Sequence, residues 1–383
     1  MQGRERNHDT AGVYRMRSNA NRRARGRNRA SNGIYVKRLT QREAARQALN
    51  FLDDELRQER EQARLNATCY YQGCTEPPIR SHIISRKLLR RIAENNKVLT
   101  WSSPETSLIE MADAMDAGQR AEIFNIIPTL VDIGDVELTD PLFCHPHDER
   151  VFRQIDGSNK EIAARSEYIP KQVLLLAFRA LCSLSYLLSS RQSPIDTILE
   201  FSKKIGYTHS LHKAENYVRL HRFMAKETML AVYERYEQMR RSGDYSELAY
   251  SLYVVNVPPC IAATYSLIPI ADEEKKAIED GTLLLSPEDA VSFSFLPHKP
   301  RTNSICVISW LNGSERAQRF IIANKINNLS EQEQLAIFFE RAFESPNIYI
   351  SPQWWDSLSG EKRVEYTWRH FTTVNEQDTL ARL

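Results

Sequence analysis

Four side chains in two short stretches have the types and spacing of a metal clip. The first stretch is CYYQGCTEPPIRSHIIS, residues 69–85, in which Cys69 and Cys74 flank a glycine-containing turn with four residues between them. The second is FCHPHDE, residues 143–149, in which Cys144 and His147 are separated by two residues. Thiolate sulfur and neutral imidazole nitrogen are the usual donors to Zn²⁺, four to an ion in a structural site. A knuckle supplies one pair. A CxxH at a helix start supplies the other, with both side chains on one face of the first turn, as in zinc-ribbon and treble-clef sites. Three thiolates and an imidazole around Zn²⁺ leave about one negative charge, which Arg80, Arg86 and Lys87 would offset. Between the two halves lie 69 residues, but closure entropy grows only slowly with loop length. Cys182, Cys260 and Cys306 sit singly in apolar runs and read as core residues.

With four ligands assigned, His82 is surplus. Two structural roles stay open for it: a hydrogen-bond donor in a metal-stabilised core, or a substitute for one of the four ligands. His145, inside the CxxH pair, is a weaker metal candidate. Asp148, next in the chain after His147, reads as a carboxylate stabilising a helix N-terminus. Asp156, eight residues on, is a further ligand or a helix-end charge. His209, His212 and His221 fall on charged helices, and the HxxH of YTHSLH has no partner in sight.

These groups need elements to hold them. The turn-rich knuckle leads into an extended run, Ile79–Ile84, then a basic helix beginning SRKLLRRIAENN. Residues 99–140 read as an insertion carrying an amphipathic helix around 108–127. Asp140 and Pro141 mark a turn, after which FCHPHDERVFRQIDG opens a helix that Gly157 stops. A capping-box pattern, TQRE, starts an earlier helix at Thr40, running to about Asn66. Residues 160–242 read as helical. VLLLAFRALCSLSYLL, 173–188, is a core helix whose Val173, Ala177, Ala180, Leu184 and Leu187 share a face, although Arg179 interrupts it. From about 246 the pattern turns to short β-rich runs: LAYSLYVVNV, CIAATYSLI, AVSFSFL, SICVISWL and QRFIIA. Asn312-Gly313 between the last two signals a hairpin. Ser330 and Glu333 form another capping box before LAIFFERAF.

Charge is uneven along the chain. Residues 1–50 carry 13 Lys/Arg against 3 Asp/Glu, whereas the remainder carries 38 against 46. A basic arm on a mildly acidic body fits a polyanionic partner such as nucleic acid. The opening residues MQGRERNHDT lack the apolar core of a signal peptide, and no run is long and apolar enough to span a membrane. The expectation is a cytoplasmic chain with reduced thiols, in which close cysteine pairs favour a metal over a disulfide. No glycine-rich phosphate loop is present.

The motifs SHIIS-x-x-LL-x-x-IA and FCxxHDxxVFxxID together resemble the ββα-metal core of the HNH endonuclease superfamily. They are similar to HNH-like proteins of bacteria, some encoded near anti-phage defence genes. AFRAL and ISPQWWDSL look like the same group. The resemblance is sharp over 69–157 and diffuse elsewhere. It implies that His82 is a general base that activates water against a phosphodiester, with a catalytic Mg²⁺ or Mn²⁺ beside a structural Zn²⁺. Asp148 stands where the family carries the helix ligand of that cation, usually a histidine. Ser81 stands before the base, where relatives often carry an acidic residue or histidine. The family's asparagine is unassigned; Asn95 and Asn96 follow the basic helix. Arg80, Lys87, Arg90 and Arg91, with the arm, would hold phosphates of a nucleic acid, DNA foremost.

The expected fold is therefore α+β. A basic arm occupies 1–39; a helix and a treble-clef, ββα-metal unit occupy 40–157. A helical region follows at 158–245, and an antiparallel sheet with packed helices at 246–383. The rival reading is a non-catalytic, zinc-stabilised nucleic-acid-binding or sensor protein. In that reading the helical and sheet regions recognise a protein partner or a second copy of the chain.

Overall fold

The computed structural model describes residues 67–101, 128–156, 166–186, 226–299 and 302–382, with short breaks inside these ranges. The arm, the helix expected from Thr40, the helix expected around 108–127, and His209, His212 and His221 lie outside them.

Alternating and β-branched runs form a long antiparallel sheet. Strands β1 (Ile79–His82), β2 (Lys97–Thr100), β3 (Thr129–Asp132) and β4 (Thr139–Phe143) come first, then β5 (Leu248–Val255), β6 (Ile261–Ile270), β7 (Val291–Lys299), β8 (Asn303–Leu311), β9 (Ile348–Ile350) and β10 (Leu380–Arg382). The main sheet has the order β3-β2-β9-β6-β7-β8-β5, every neighbour antiparallel, with β10 parallel beside β6. Four of the five expected C-terminal runs are strands. The sheet also takes β2 and β3 from inside the 40–157 segment, Leu99 pairing with Ile350. The stretch 99–140, expected as an insertion, thus begins and ends in paired strands. Asp140 and Pro141 lie within β4, not in a turn.

The fifth run, QRFIIA, is a helix, α5 (Glu315–Asn324). Its apolar residues are short of a strand's alternation, and the preceding residues close a helix start instead. Gly313 takes φ +95°, and the Ser314 hydroxyl accepts the Ala317 N–H at 3.1 Å. That cap satisfies a donor a helix would otherwise leave unpaired. The β-hairpin expected at Asn312-Gly313 is absent; β8 pairs with β7 and β5.

The other helices, each named with its range, are α1 (Arg86–Leu89), α2 (His145–Asp156), α3 (residues 169–186), α4 (Lys226–Ser242), α6 (Glu331–Phe343), α7 (Pro352–Ser357) and α8 (Gly360–Gln377). The expected basic helix shrinks to the single turn of α1, because Asn95 and Asn96 both take positive φ (50° and 61°) and turn the chain back into β2. They are exposed and act as turn residues.

Two cores flank the sheet. Val291, Phe293 and Phe295 of β7 point into one, with Phe338 and Phe343 of α6 and Trp355 of α7. On the opposite face, buried Ser292 and Ser294 meet Ser266 and Thr264 across the β6–β7 pair, at 2.7 and 2.8 Å. The second core holds Leu142, Phe143 and Phe152 with Leu174, Leu175 and Leu181 of α3, and Tyr233 and Tyr236 of α4. Phe143 and Phe152 lie 4.8 Å apart between ring centres. Burying a side chain of this size stabilises by about 2 kcal/mol, and this pair locks α2 onto its strand. Cys182, Cys260 and Cys306 are buried in these cores.

Candidate metal centre and the histidine beside it

The site is built on a two-stranded antiparallel ribbon, β1 with β4, followed directly by α2. The knuckle 69–74 is closed by Gly73 at φ +74°, by the Cys74 N–H on the Tyr71 carbonyl (3.0 Å) and by the Tyr70 N–H on Leu142 (2.8 Å). Only glycine adopts that φ cheaply. The ribbon brings this knuckle to the start of α2, where the Cys144 carbonyl accepts the N–H groups of His147 and Asp148.

The ligand atoms of Cys69, Cys74, Cys144 and His147 all lie within 4.8 Å of one another. Cys74 and Cys144 sulfurs are 3.8 Å apart; His147 Nδ1 is 3.5 Å from the Cys69 sulfur and 3.2 Å from that of Cys144. A tetrahedron with Zn–S near 2.3 Å has an S···S edge of about 3.8 Å and an S···N edge of about 3.5 Å. The cluster has the donor set and spacing to hold a metal such as zinc. Its electrostatics favour thiolate sulfur: Cys69 Sγ accepts the Tyr71 and Cys144 N–H groups at 3.4 and 3.3 Å. Without a cation, burial pushes the Cys69 thiol up to about 12. Burial, then Arg150, holds the His147 imidazole below its ordinary range, so it is neutral and able to ligate.

An outer layer fixes the His147 ring. Tyr71 stacks on it with centroids 3.8 Å apart. The Tyr71 hydroxyl donates to Glu237 of α4 at 2.5 Å, and Arg240 and Arg241 donate to the same carboxylate. Burial opposes the Glu237 charge, but these hydrogen bonds, Arg240's foremost, hold its carboxyl below the usual range. Sequence reasoning missed this layer, since nothing local links Tyr71 to a residue 166 positions on.

His82 is not among the four clustered ligands. Its Nε2 lies 3.1 Å from the Ile133 carbonyl and 3.2 Å from Arg86 Nε. The Ile133 carbonyl calls for a proton on Nε2 and the Arg86 Nε–H for a bare Nε2, so the two contacts compete for one nitrogen and favour opposite tautomers. Arg86 is exposed, and its Nη2 donates to the Gly134 carbonyl at 3.4 Å. The loop carrying Ile133 is held by Asp132, which accepts the Gly134 N–H at 2.8 Å. Burial lowers the His82 pKa, as do Arg86 and Arg179, so the ring is neutral at pH 7.

Asp148 in the first turn of α2 lies beside the Ser81 hydroxyl of β1. Burial raises the Asp148 pKa, while Arg179 and the Ser81 hydroxyl oppose the rise. Asp148 Oδ1, Ser81 Oγ and Arg179 Nε are all buried without a hydrogen-bond partner. Arg179 of α3 grips Asp156 with two hydrogen bonds, one of them Nη1 to Oδ1 at 2.9 Å. Its Nη2 also lies 3.9 Å from Asp148, and its guanidinium stacks 4.0 Å above the Phe152 ring. Asp156 therefore serves Arg179. Arg179 was legible only as an interruption of an apolar run; an arginine there needs a buried counter-charge.

His145 is exposed, outside the cluster. Of the basic residues expected at a nucleic acid, Arg80 and Arg90 are exposed and Lys87 and Arg91 half-buried. Arg91 donates to the Pro297 carbonyl at 3.2 Å. A separate polar cavity of about 480 Å³ beside Arg235 and Arg316 is internally neutralised by Glu247, Glu288, Glu274 and Asp289. No helix among the described residues is long and apolar enough to cross a membrane. No family model, curated protein or solved structure matches the chain.

Proposed function

We propose that the chain is an HNH-type phosphodiesterase of the treble-clef, ββα-metal class that cuts nucleic acid, DNA foremost. The observation that carries this reading is the separation of two sites on one ribbon-and-helix unit. The clustered Cys69, Cys74, Cys144 and His147 would hold a structural Zn²⁺. His82 stays outside them, with its Nε2 on the Ile133 carbonyl, while Asp148 and Ser81 of the same unit keep buried oxygens without a hydrogen bond.

His82 Nδ1 takes a proton from water as the water oxygen attacks phosphorus, and the opposite P–O bond breaks. The tautomer protonated on Nε2, which the Ile133 carbonyl favours and the Arg86 Nε–H opposes, is the one that can do this. Asp148 and Ser81 offer hard oxygens to Mg²⁺ or Mn²⁺. Such an ion, when bound, supplies positive charge to the phosphate oxygens. Arg80 and Arg90 reach solvent on the same unit and would hold flanking phosphates, with the basic arm adding affinity.

Purified protein with supercoiled plasmid and Mg²⁺ or Mn²⁺ tests the proposal. Nicking is expected, falling by roughly 10²–10⁴-fold in His82→Ala. Absence of nicking, or nicking indifferent to His82→Ala, ends the enzymatic reading. The alternative, a non-catalytic zinc-stabilised nucleic-acid-binding or sensor protein, is favoured by Ser81 being uncharged and by Arg179 already lying beside Asp148. Its signature is salt-dependent binding of DNA or RNA without cleavage.

A further inference from the structure

Asp148, Phe152 and Asp156 lie on one face of α2, at i, i+4 and i+8. Arg179 runs along that face. Its guanidinium lies flat on Phe152 and is anchored at one end by Asp156. At the other end Nη2 comes to 3.9 Å from Asp148 Oδ1, outside hydrogen-bond reach. The side chain is 3% exposed, so water screens this charge little. Asp156 takes two of its donors, which keeps Arg179 from closing fully onto Asp148. Asp148 is left with a cation nearby but with Oδ1 unpartnered. Ser81 Oγ, equally unpartnered, opens on the same neighbourhood.

We propose that Arg179 is a built-in cation of the Asp148 site, tethered by Asp156, and that it sets the affinity of that site for a single divalent ion low. The inference rests on Asp148 being a cation ligand. Arg179 is a positioning residue here: it acts through Asp148. An ion at Asp148 meets the repulsion of a fixed guanidinium, and a second ion meets both charges. The site then binds a divalent ion weakly and releases it readily, while the Cys/His cluster keeps its metal.

The test is Mn²⁺ binding to the full, zinc-loaded chain, read by the electron paramagnetic resonance of free Mn²⁺. Wild type is expected to bind weakly, and Asp148→Ala to lose that binding. Arg179→Gln is expected to bind roughly tenfold more tightly, since a nearby positive charge is gone. Arg179→Lys, which keeps the charge, should stay near wild type. A merely structural role predicts the opposite sign, weaker binding in Arg179→Gln. Because that variant strands Asp156, Arg179→Gln/Asp156→Asn serves beside it. Neutral replacement of both partners of a buried pair is commonly tolerated. The double variant is also expected to bind more tightly than wild type, because the lost cation lies nearer Asp148 than the lost anion. Asp148-dependent binding that is unchanged or weaker in both variants overturns this inference and leaves the role of Asp148 standing. Absence of any Asp148-dependent binding, in wild type and variants alike, removes both.

Discussion

Cys69 shows how much one residue can report. It is 1% exposed, yet its sulfur accepts two backbone N–H groups. A buried thiol has little use for two donors; a thiolate bound to a metal does. The ligand atoms of Cys74, Cys144 and His147 all lie within 4.8 Å of it, so if the cluster holds a metal, binding and folding of the knuckle are expected to be one event. Purified protein should carry about one equivalent of zinc by elemental analysis, and Cys69→Ser/Cys74→Ser less than about half an equivalent. Equal zinc in the two proteins would remove the site. His82 reports differently. Its burial lowers its pKa, which suits a base, but a carbonyl contact of that kind also suits a structural histidine. The nicking assay separates the two.

Among elements, α6 is the one whose start the sequence states outright. Ser330 accepts the Glu333 N–H at 3.4 Å, and the Glu333 carboxylate takes the Ser330 N–H at 2.8 Å. The helix then lays Phe338, Ala342 and Phe343 on the sheet. Losing the cap frays the first turn of a helix that covers the core. Ser330→Ala should therefore lower unfolding free energy by about 1 kcal/mol in urea titrations, with the m-value unchanged. A cost near zero would mean that the first turn of α6 is held by packing alone. The same local logic misled for QRFIIA. Ile321 and its neighbours have high β-propensity, but propensity is weaker than a cap and a place to pack. Ala317 and Phe320 bury against the sheet at helical spacing.

On the scale of the molecule, long-range links join ribbon, α3 and sheet. Thr100 donates to the Ile348 carbonyl at 2.8 Å across 248 residues. Asp140, paired with Ser81 in the ribbon, accepts from Ser183 of α3 at 2.9 Å; Ser183 in turn takes a hydrogen bond from Asn347 at 3.1 Å. Burial raises the Asp140 carboxyl to about 6, with Ser183 opposing. A raised carboxyl binds its proton more tightly folded than unfolded. Its contribution is thus intact below about pH 4 and is lost as pH rises towards about 6. Asp140→Asn removes the ionisation but keeps an acceptor. Its stability relative to wild type should rise between pH 5 and pH 7, measured by urea unfolding at each pH. A difference that stays flat over that interval would mean that Asp140 titrates normally in the folded protein.

The sequence by itself determined what depends on neighbours a few residues apart. The two ligand pairs, the alternation of Val291, Phe293 and Phe295, and the Ser330 cap are all periods or spacings within one turn or strand. They survive whatever the rest of the chain does. Tertiary structure alone decided that β2 and β3 would extend a sheet made mostly of residues beyond 246. It alone turned Arg179 from an interruption of an apolar helix into the charge between Asp148 and Asp156. It alone set Tyr71 and Glu237 behind His147, and Asp140 against Ser183. Each of these is a pairing across tens to hundreds of residues. Such pairings are chosen by which surfaces the whole chain can bury together and which buried charges must then be matched, and no local window contains that choice.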